Sequence, residues 1–157
     1  YYLNTCNLEG FEKKEDGYVL KLETLPEKDL DFVLSENEVL YEEYLMDDAE
    51  ICVVSFGITA RVAKNAIVEA RAKGIKVGMI RPITLWPFPT EVLRKAADKC
   101  KAFLSVEMNM GQMIEDVKLA IECKKPVHLC CRVGGMIPSP EEVLQKIEEE
   151  YKKQHKM

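Results

Sequence analysis

Leu104-Ser105-Val106-Glu107-Met108-Asn109-Met110-Gly111-Gln112-Met113-Ile114-Glu115-Asp116-Val117 is the stretch that decides the fold. Ala102 to Val106 is an apolar run of strand length, and Met110, Met113, Ile114, Val117 and Ile121 follow at helical spacing. The stretch reads as a buried strand, a polar turn and an amphipathic helix from Met110 to Ile121. Asn109 stands at the N-cap position. Gln112, three residues on, completes a variant capping box in which each side chain satisfies an orphan backbone N–H. Polar residues thus collect at the carboxyl end of a parallel strand, the edge of open α/β sheets where ligands and partners dock. Glu107 is expected to point to that rim, as a general base or a partner contact; the competing role is a local bond to backbone N–H groups. No second carboxylate, His or nucleophile is placed beside it, so Glu107 alone does not make an active site.

Working outward, 157 residues suffice for one domain with a real core and are few for two. A 47% apolar content is globular rather than disordered. A formal charge of −5 argues against a nucleic-acid partner. No apolar run approaches the ~20 residues of a transmembrane helix. Tyr1-Tyr2-Leu3-Asn4 lacks both a signal-peptide pattern and an initiator Met, which suggests a domain of something larger. The six cysteines include no Cys-x-x-Cys; Cys52 and Cys100 read as small core residues of a reducing cytoplasm.

From Ala49 the grammar is regular. Ile51–Phe56 reads as a buried strand, and Gly57-Ile58-Thr59 as a turn with Thr59 as N-cap. A helix follows from Arg61 to Lys73, with Gly74 at C′. Ile75–Ile80 is the next strand. Arg81-Pro82-Ile83-Thr84-Leu85-Trp86-Pro87-Phe88-Pro89 is a rigid loop, and Thr90 to Lys101 a helix. After the opening stretch come a strand at Pro126–Cys131, a loop with Gly134-Gly135, and a capping box at Ser139-Pro140-Glu141-Glu142 that starts the last helix. Strands alternating with helices imply a parallel sheet covered on both faces. Ahead of Ala49, Phe11 to Leu22 is expected to form a hairpin turning at Asp16-Gly17, and Pro26 to Met46 fits two short helices.

Ser55-Phe56-Gly57-Ile58-Thr59 resembles an anion cradle, but a lone glycine matches neither dinucleotide nor P-loop fingerprints and an ordinary turn is favoured. Gly134-Gly135 more simply permits a turn. His128 and Cys130 share a strand face without the spacing of a closed metal site. Arg81, Trp86 and Phe88 fit either an interface loop or a local core beneath the next helix.

Several segments occur together in one order: Ser55 to Ala60, Lys73 to Gly78, Arg81 to Pro89, Glu107-Met108-Asn109-Met110-Gly111-Gln112, and Gly134-Gly135 to Glu142. From about Ile51 to Ile147 the chain resembles the α-type subunit of the 2-oxoacid:ferredoxin oxidoreductases, in its 2-oxoglutarate or 2-oxoisovalerate branch. The resemblance implies a transketolase C-terminal-like domain, a three-layer αβα fold. Its sheet would be mixed, five-stranded and mostly parallel, with the antiparallel strand supplied before Ala49, around Tyr18 to Leu22. It implies a cytoplasmic complex that oxidatively decarboxylates a 2-oxoacid to an acyl-CoA with thiamine diphosphate, Mg²⁺, iron–sulfur clusters, CoA and ferredoxin. Thiamine and its metal lie mainly with other domains and subunits of the family. Asp16-Gly17 has no paired Asn of the thiamine signature. No catalytic, cofactor-binding or metal-ligating residue is therefore carried over. Where the family has a Gly-Leu-Glu-His-like segment, this chain has Asn7-Leu8-Glu9-Gly10-Phe11.

The expectation is a linker or extension over residues 1–48, following another domain, and the α/β domain over 49–157. That domain would pack against neighbouring domains and subunits, with neither nucleic acid nor membrane as partner. Candidate rim or interface residues are Arg81, Trp86, Phe88, Glu107, Asn109, Gly111 and Gln112. The alternatives are a stand-alone small-ligand or nucleotide-binding module, or a domain of another transketolase-like thiamine enzyme.

Overall fold

In the computed structural model, which describes residues 11–14, 17–20 and 39–155, the chain forms two separate units. In the first, β1 (Phe11–Lys14) and β2 (Gly17–Leu20) make an antiparallel hairpin that pairs Phe11 with Leu20 and Lys14 with Gly17. The hairpin forms as expected, but Gly17 opens its second strand. Residues 7–10 and 26–38, with the readings made on them, lie outside the described residues.

The second unit, Val39–Met157, holds the sheet. Its elements are β3 (Tyr41–Tyr44), β4 (Ile51–Ser55), α1 (Gly57–Ala72), β5 (Val77–Pro82), α2 (Thr90–Lys99), β6 (Ala102–Glu107), α3 (Met113–Ala120), β7 (Val127–Cys131) and α4 (Pro140–His155). The strand order is β3-β5-β4-β6-β7, with β3 antiparallel to β5 and the others parallel. This is the mixed, mostly parallel, three-layer sheet expected from the sequence.

All five residues of β4 are buried, as a central parallel strand covered on both faces must be. Period-two alternation sends Ile51 and Val53 to one core and Cys52 and Val54 to the other. The first core takes Ala63, Ala66, Ile67 and Ala70 of α1 with Val143, Leu144 and Ile147 of α4. The small alanines let α1 lie close to the sheet. The second takes Leu93, Ala96 and Ala97 of α2 with Met113, Val117 and Ala120 of α3. Each large side chain, such as Ile67 or Leu93, contributes about 1.5–3 kcal/mol by leaving water.

The antiparallel strand is Tyr41–Tyr44, not Tyr18–Leu22, and it replaces the second short helix expected before Met46. Tyr-Glu-Glu-Tyr is an edge strand whose inner face holds Glu42 and Tyr44, so it lacks the apolar alternation that marks a strand in sequence. The compact unit accordingly starts at Val39, ahead of Ala49.

Local signals at helix ends hold well. Gly74 (φ 82°) closes α1, its N–H donating to the Arg71 carbonyl at 2.9 Å while Ile75 N–H reaches Ala70 at 3.1 Å. At α4, Glu142 N–H donates to Ser139 Oγ at 3.3 Å and Ser139 N–H to Glu142 Oε2 at 2.9 Å. Thr59 is not an N-cap. Gly57 (φ 60°) makes the reversal out of β4, the helix begins there, and the Thr59 hydroxyl donates within the first turn to the Phe56 carbonyl at 2.7 Å.

Candidate functional site

The chain leaves β4 toward α1 on one face and leaves the adjacent β6 toward α3 on the other. That is the topological switch point of an open α/β sheet, where sites form. It brings Ser55 and Thr59 beside the end of β6. Ser55 Oγ lies 3.0 Å from the Val106 carbonyl and 2.8 Å from Thr59 Oγ1. These buried hydroxyls satisfy one another and the backbone.

Glu107 is wholly buried, a correction to the rim position expected for it. β6 runs one residue past Val106, so alternation places Glu107 on the face of Phe103 and Ser105, beneath α3. Its carboxylate accepts the Ser105 hydroxyl (2.7 Å) and the backbone N–H groups of Gln112 (3.0 Å), Met113 (2.8 Å) and Ile114 (2.9 Å). A negative charge against these orphan donors also meets the positive end of the helix.

The helix therefore starts at Met113, and Asn109 does not cap it. Asn109 Oδ1 accepts Gly111 N–H (2.8 Å) and Gln112 N–H (2.9 Å), which shapes the turn ahead of the helix. Gly111 adopts φ 97°, and a Cβ there would lie 2.9 Å from Leu129 Cδ2. Glu107, Asn109 and Gly111 thus act together as a device for starting α3. Of the segment, the Gln112 side chain remains exposed, and Met110, read as core-facing, is 81% exposed outside the helix.

The Arg81–Pro89 loop divides its aromatics. Phe88 packs against the core under α2, while Trp86 is 75% exposed. Arg81 Nη1 pairs with Glu42 Oε2 across the β3–β5 ladder at 3.2 Å. His128 and Cys130 do face one side, but His128 Nε2 contacts Glu150 at 3.0 Å and burial pushes the Cys130 thiol up to about 11. Among the described residues no three His, Cys, Asp or Glu side chains converge to hold a metal.

What the sequence did not single out is the distribution of exposed apolar groups. Ten of the thirteen large ones exposed among the described residues sit at the carboxyl edge of the parallel strands. They are Leu40 and Tyr41 entering β3, Ile58 after β4, Ile83, Leu85 and Trp86 after β5, Met110 after β6, and Val133, Met136 and Ile137 after β7. Contiguous apolar surface of this kind marks interaction sites. The opposite edge is charged. Glu50 meets Lys101 at 2.6 Å, Arg71 meets Asp48 at 2.7 Å, and Glu122 meets Lys124 at 2.8 Å. In each pair the cation bonded to the carboxylate holds its pKa below the ordinary value.

Residues 49–143 match the family described as pyruvate:ferredoxin oxidoreductase core domain II. The chain is 53% identical over 116 residues to the ketoisovalerate oxidoreductase subunit VorB of Methanothermobacter thermautotrophicus, covering 74% of this chain and 33% of the relative. It is 41% identical over 101 residues to the 2-oxoglutarate synthase subunit KorA of Methanothermobacter marburgensis, covering 64% and 27%. The chain spans about a third of the length of the curated relatives it matches. Among solved structures it resembles a 2-oxoglutarate:ferredoxin oxidoreductase from Magnetococcus marinus, with TM-score 0.63, 23% identity, and coverage of 76% of this chain and 21% of that one. A split-gene transketolase superposes with TM-score 0.60 at 18% identity, covering 69% and 40%. At these identities the two structures speak for the fold alone.

Proposed function

The chain belongs to the pyruvate:ferredoxin oxidoreductase core domain II family, and on that premise we propose that it serves as a non-catalytic packing domain in the α-type subunit of a cytoplasmic 2-oxoacid:ferredoxin oxidoreductase. Residues 1–48 would link it to the rest of that subunit, with Tyr41–Tyr44 drawn into the sheet. Companion domains and subunits would supply thiamine diphosphate, Mg²⁺ and the iron–sulfur clusters, and would deliver electrons to ferredoxin and the acyl group to CoA. The described residues do not fit the metal or the clusters, because no donor group converges among them. The higher identity to the ketoisovalerate relative than to the 2-oxoglutarate relative favours a branched-chain 2-oxoacid as substrate.

The observation that carries the packing role is the apolar carboxyl edge set against the charged amino edge. Trp86 and Met110, the most exposed apolar side chains of that edge, are its natural anchors, with Ile83 and Met136 beside them. Arg81 and Phe88 hold the Trp86 loop, and Glu107, Asn109 and Gly111 hold the Met110–Gln112 turn.

The test is a double variant, Trp86→Ser with Met110→Ser, in the presence of the companion subunits. Both side chains are exposed, so the unfolding midpoint of the chain should stay within about 0.5 kcal/mol of the parent. Co-purification with the companions should fall. Undiminished assembly sinks the docking edge. Reduction of a viologen dye by this chain alone, given 2-oxoacid, CoA and thiamine diphosphate, sinks the non-catalytic role. The substrate reading is checked by kcat/KM of the assembled complex for 2-oxoisovalerate against 2-oxoglutarate.

A further inference from the structure

β7 closes one side of the sheet, and its outer backbone is unpaired. The Phe103 amide donates to the Pro126 carbonyl at 2.9 Å, and the Arg132 amide donates to the Glu107 carbonyl at 3.2 Å. Bonding alternates along a parallel ladder, so His128 and Cys130 also face β6. Val127, Leu129 and Cys131 turn their N–H and C=O groups outward, and among the described residues no strand lies beyond them. Such a row is a template for another strand, which proteins usually blunt with charge, proline or cover. The other edge is blunted: β3 carries Glu42 and Glu43, and Glu42 is tied to Lys64 and Arg81. Val-His-Leu-Cys-Cys has no Lys, Glu or Pro within it. Nor does α4 cover the edge. A groove of about 300 Å³ opens between Leu129–Arg132 and Glu142, Gln145 and Lys146.

We propose that this edge takes a second copy of the chain, β7 pairing antiparallel with β7 about a two-fold axis at Leu129. The occupant follows from self-complementarity. The outward residues are symmetric about Leu129, so Leu129 faces its own counterpart and Val127 faces Cys131. Every outward N–H then meets an outward C=O. The flanking charges agree. Lys124 and Lys125 precede the strand while Glu141 and Glu142 follow it, and antiparallel pairing sets the basic end of one copy beside the acidic end of the other. A parallel partner would set base against base. The contact is isologous and closes at two copies, joining the two five-stranded sheets into one.

Sedimentation equilibrium of the full chain, without substrate or cofactor, reads this directly as a concentration-dependent dimer. Cys131→Pro removes one outward N–H per copy and leaves the Arg132 bond to β6 in place; it should raise the dimer dissociation constant about tenfold or more. A circular dichroism spectrum like the parent's shows that the variant is folded. Val127→Cys places a thiol opposite Cys131 of the second copy. Diamide, accepting two electrons and two protons from the thiol pair, should trap a disulfide-linked dimer that is missing when Cys131→Ser is added. The proposal is overturned by a chain that stays monomeric at its highest soluble concentration. It is equally overturned by a dimer that survives Cys131→Pro and resists trapping, including one that dissolves with Trp86→Ser and Met110→Ser, which would put the contact at the carboxyl edge. Association is read here without the companion subunits, so failure leaves the packing role in the oxidoreductase standing.

Discussion

Glu107 accepts the backbone N–H of Met113 at 2.8 Å, so the last residue of β6 caps the first residue of α3. Strand and helix are joined by a buried charge rather than by the turn between them. Glu107→Ala should cost about 3 kcal/mol or more, since buried N–H groups at Met113 and Ile114 lose their acceptor. Glu107→Gln should cost less but still exceed Asn109→Ala, because an amide NH₂ would face donors. Urea unfolding of the three variants ranks them, and an Asn109→Ala loss above that of Glu107→Gln contradicts the assignment of the cap.

Asn109 shapes the turn through two bonds, to Gly111 and Gln112. Both are near the surface, where water replaces a lost acceptor. Asn109→Ala should therefore cost about 1 kcal/mol, the usual size for losing such a side-chain acceptor. Hydrogen exchange should quicken at Gly111 and Gln112 while Met113 and Ile114 stay protected.

Gly78 lies under the chain that leaves β3. A Cβ there would stand 2.5 Å from the Leu45 carbonyl oxygen and 2.6 Å from Met46 Sδ. The sulfur can swing aside, but the carbonyl belongs to a backbone already held at φ 54°. Gly78→Ala should destabilise by about 1–3 kcal/mol, as overpacking does. Gly74→Ala meets open space and only the penalty of its φ of 82°, about 1 kcal/mol. Calorimetric midpoints should place Gly78→Ala below Gly74→Ala.

The end of α3 uses residues that dislike their conformation. Glu122 and Cys123 both sit at positive φ, 55° and 54°, while Cys123 N–H closes the helix on the Lys118 carbonyl at 2.9 Å. Cys123 is exposed and unbridged. Cys123→Gly should relieve the left-handed strain, less the flexibility glycine adds to the unfolded chain. The net gain expected is about 0.5 kcal/mol. A lower midpoint for this variant contradicts the assignment.

Acid should loosen the amino edge. Lys101 holds Glu50 below its ordinary value of 4.5, and Lys124, Arg132 and Lys73 do the same for Glu122, Glu142 and Glu148. Each folded pKa lies below the unfolded one, so the contribution is fully present above about 4.5 and is lost as pH falls through the lower folded values. These pairs are partly exposed, so each contribution is small and salt should reduce it. Unfolding midpoints measured from pH 6 downward should decline below about 4.5, less steeply for Lys101→Met.

What the sequence made legible was local. Gly74 as a helix stop and Ser139 with Glu142 as a capping box depend on a few neighbours, and both stand as read. Strand order is fixed by pairings between distant segments, which no local pattern encodes. β3 escaped because Tyr41-Glu42-Glu43-Tyr44 is stabilised by its partners, Lys64 and Arg81, rather than by apolar alternation. Glu107 was misplaced because the strand was ended one residue early, and in a strand one residue exchanges outside for inside. Trp86 and Phe88 were open between surface and core. One went each way, because Phe88 alone reaches the core beneath α2.

The antiparallel direction of β3 also settles which handle an experimenter should use. Ile83 N–H donates to the Leu40 carbonyl at 2.9 Å, so the backbone comes into this unit beside Trp86, whereas His155 ends α4 3.6 Å from Glu50 on the far side. A fluorophore, affinity tag or surface anchor attached after α4 leaves the apolar edge open to approaching subunits. The same attachment just ahead of Leu40 would stand in their way.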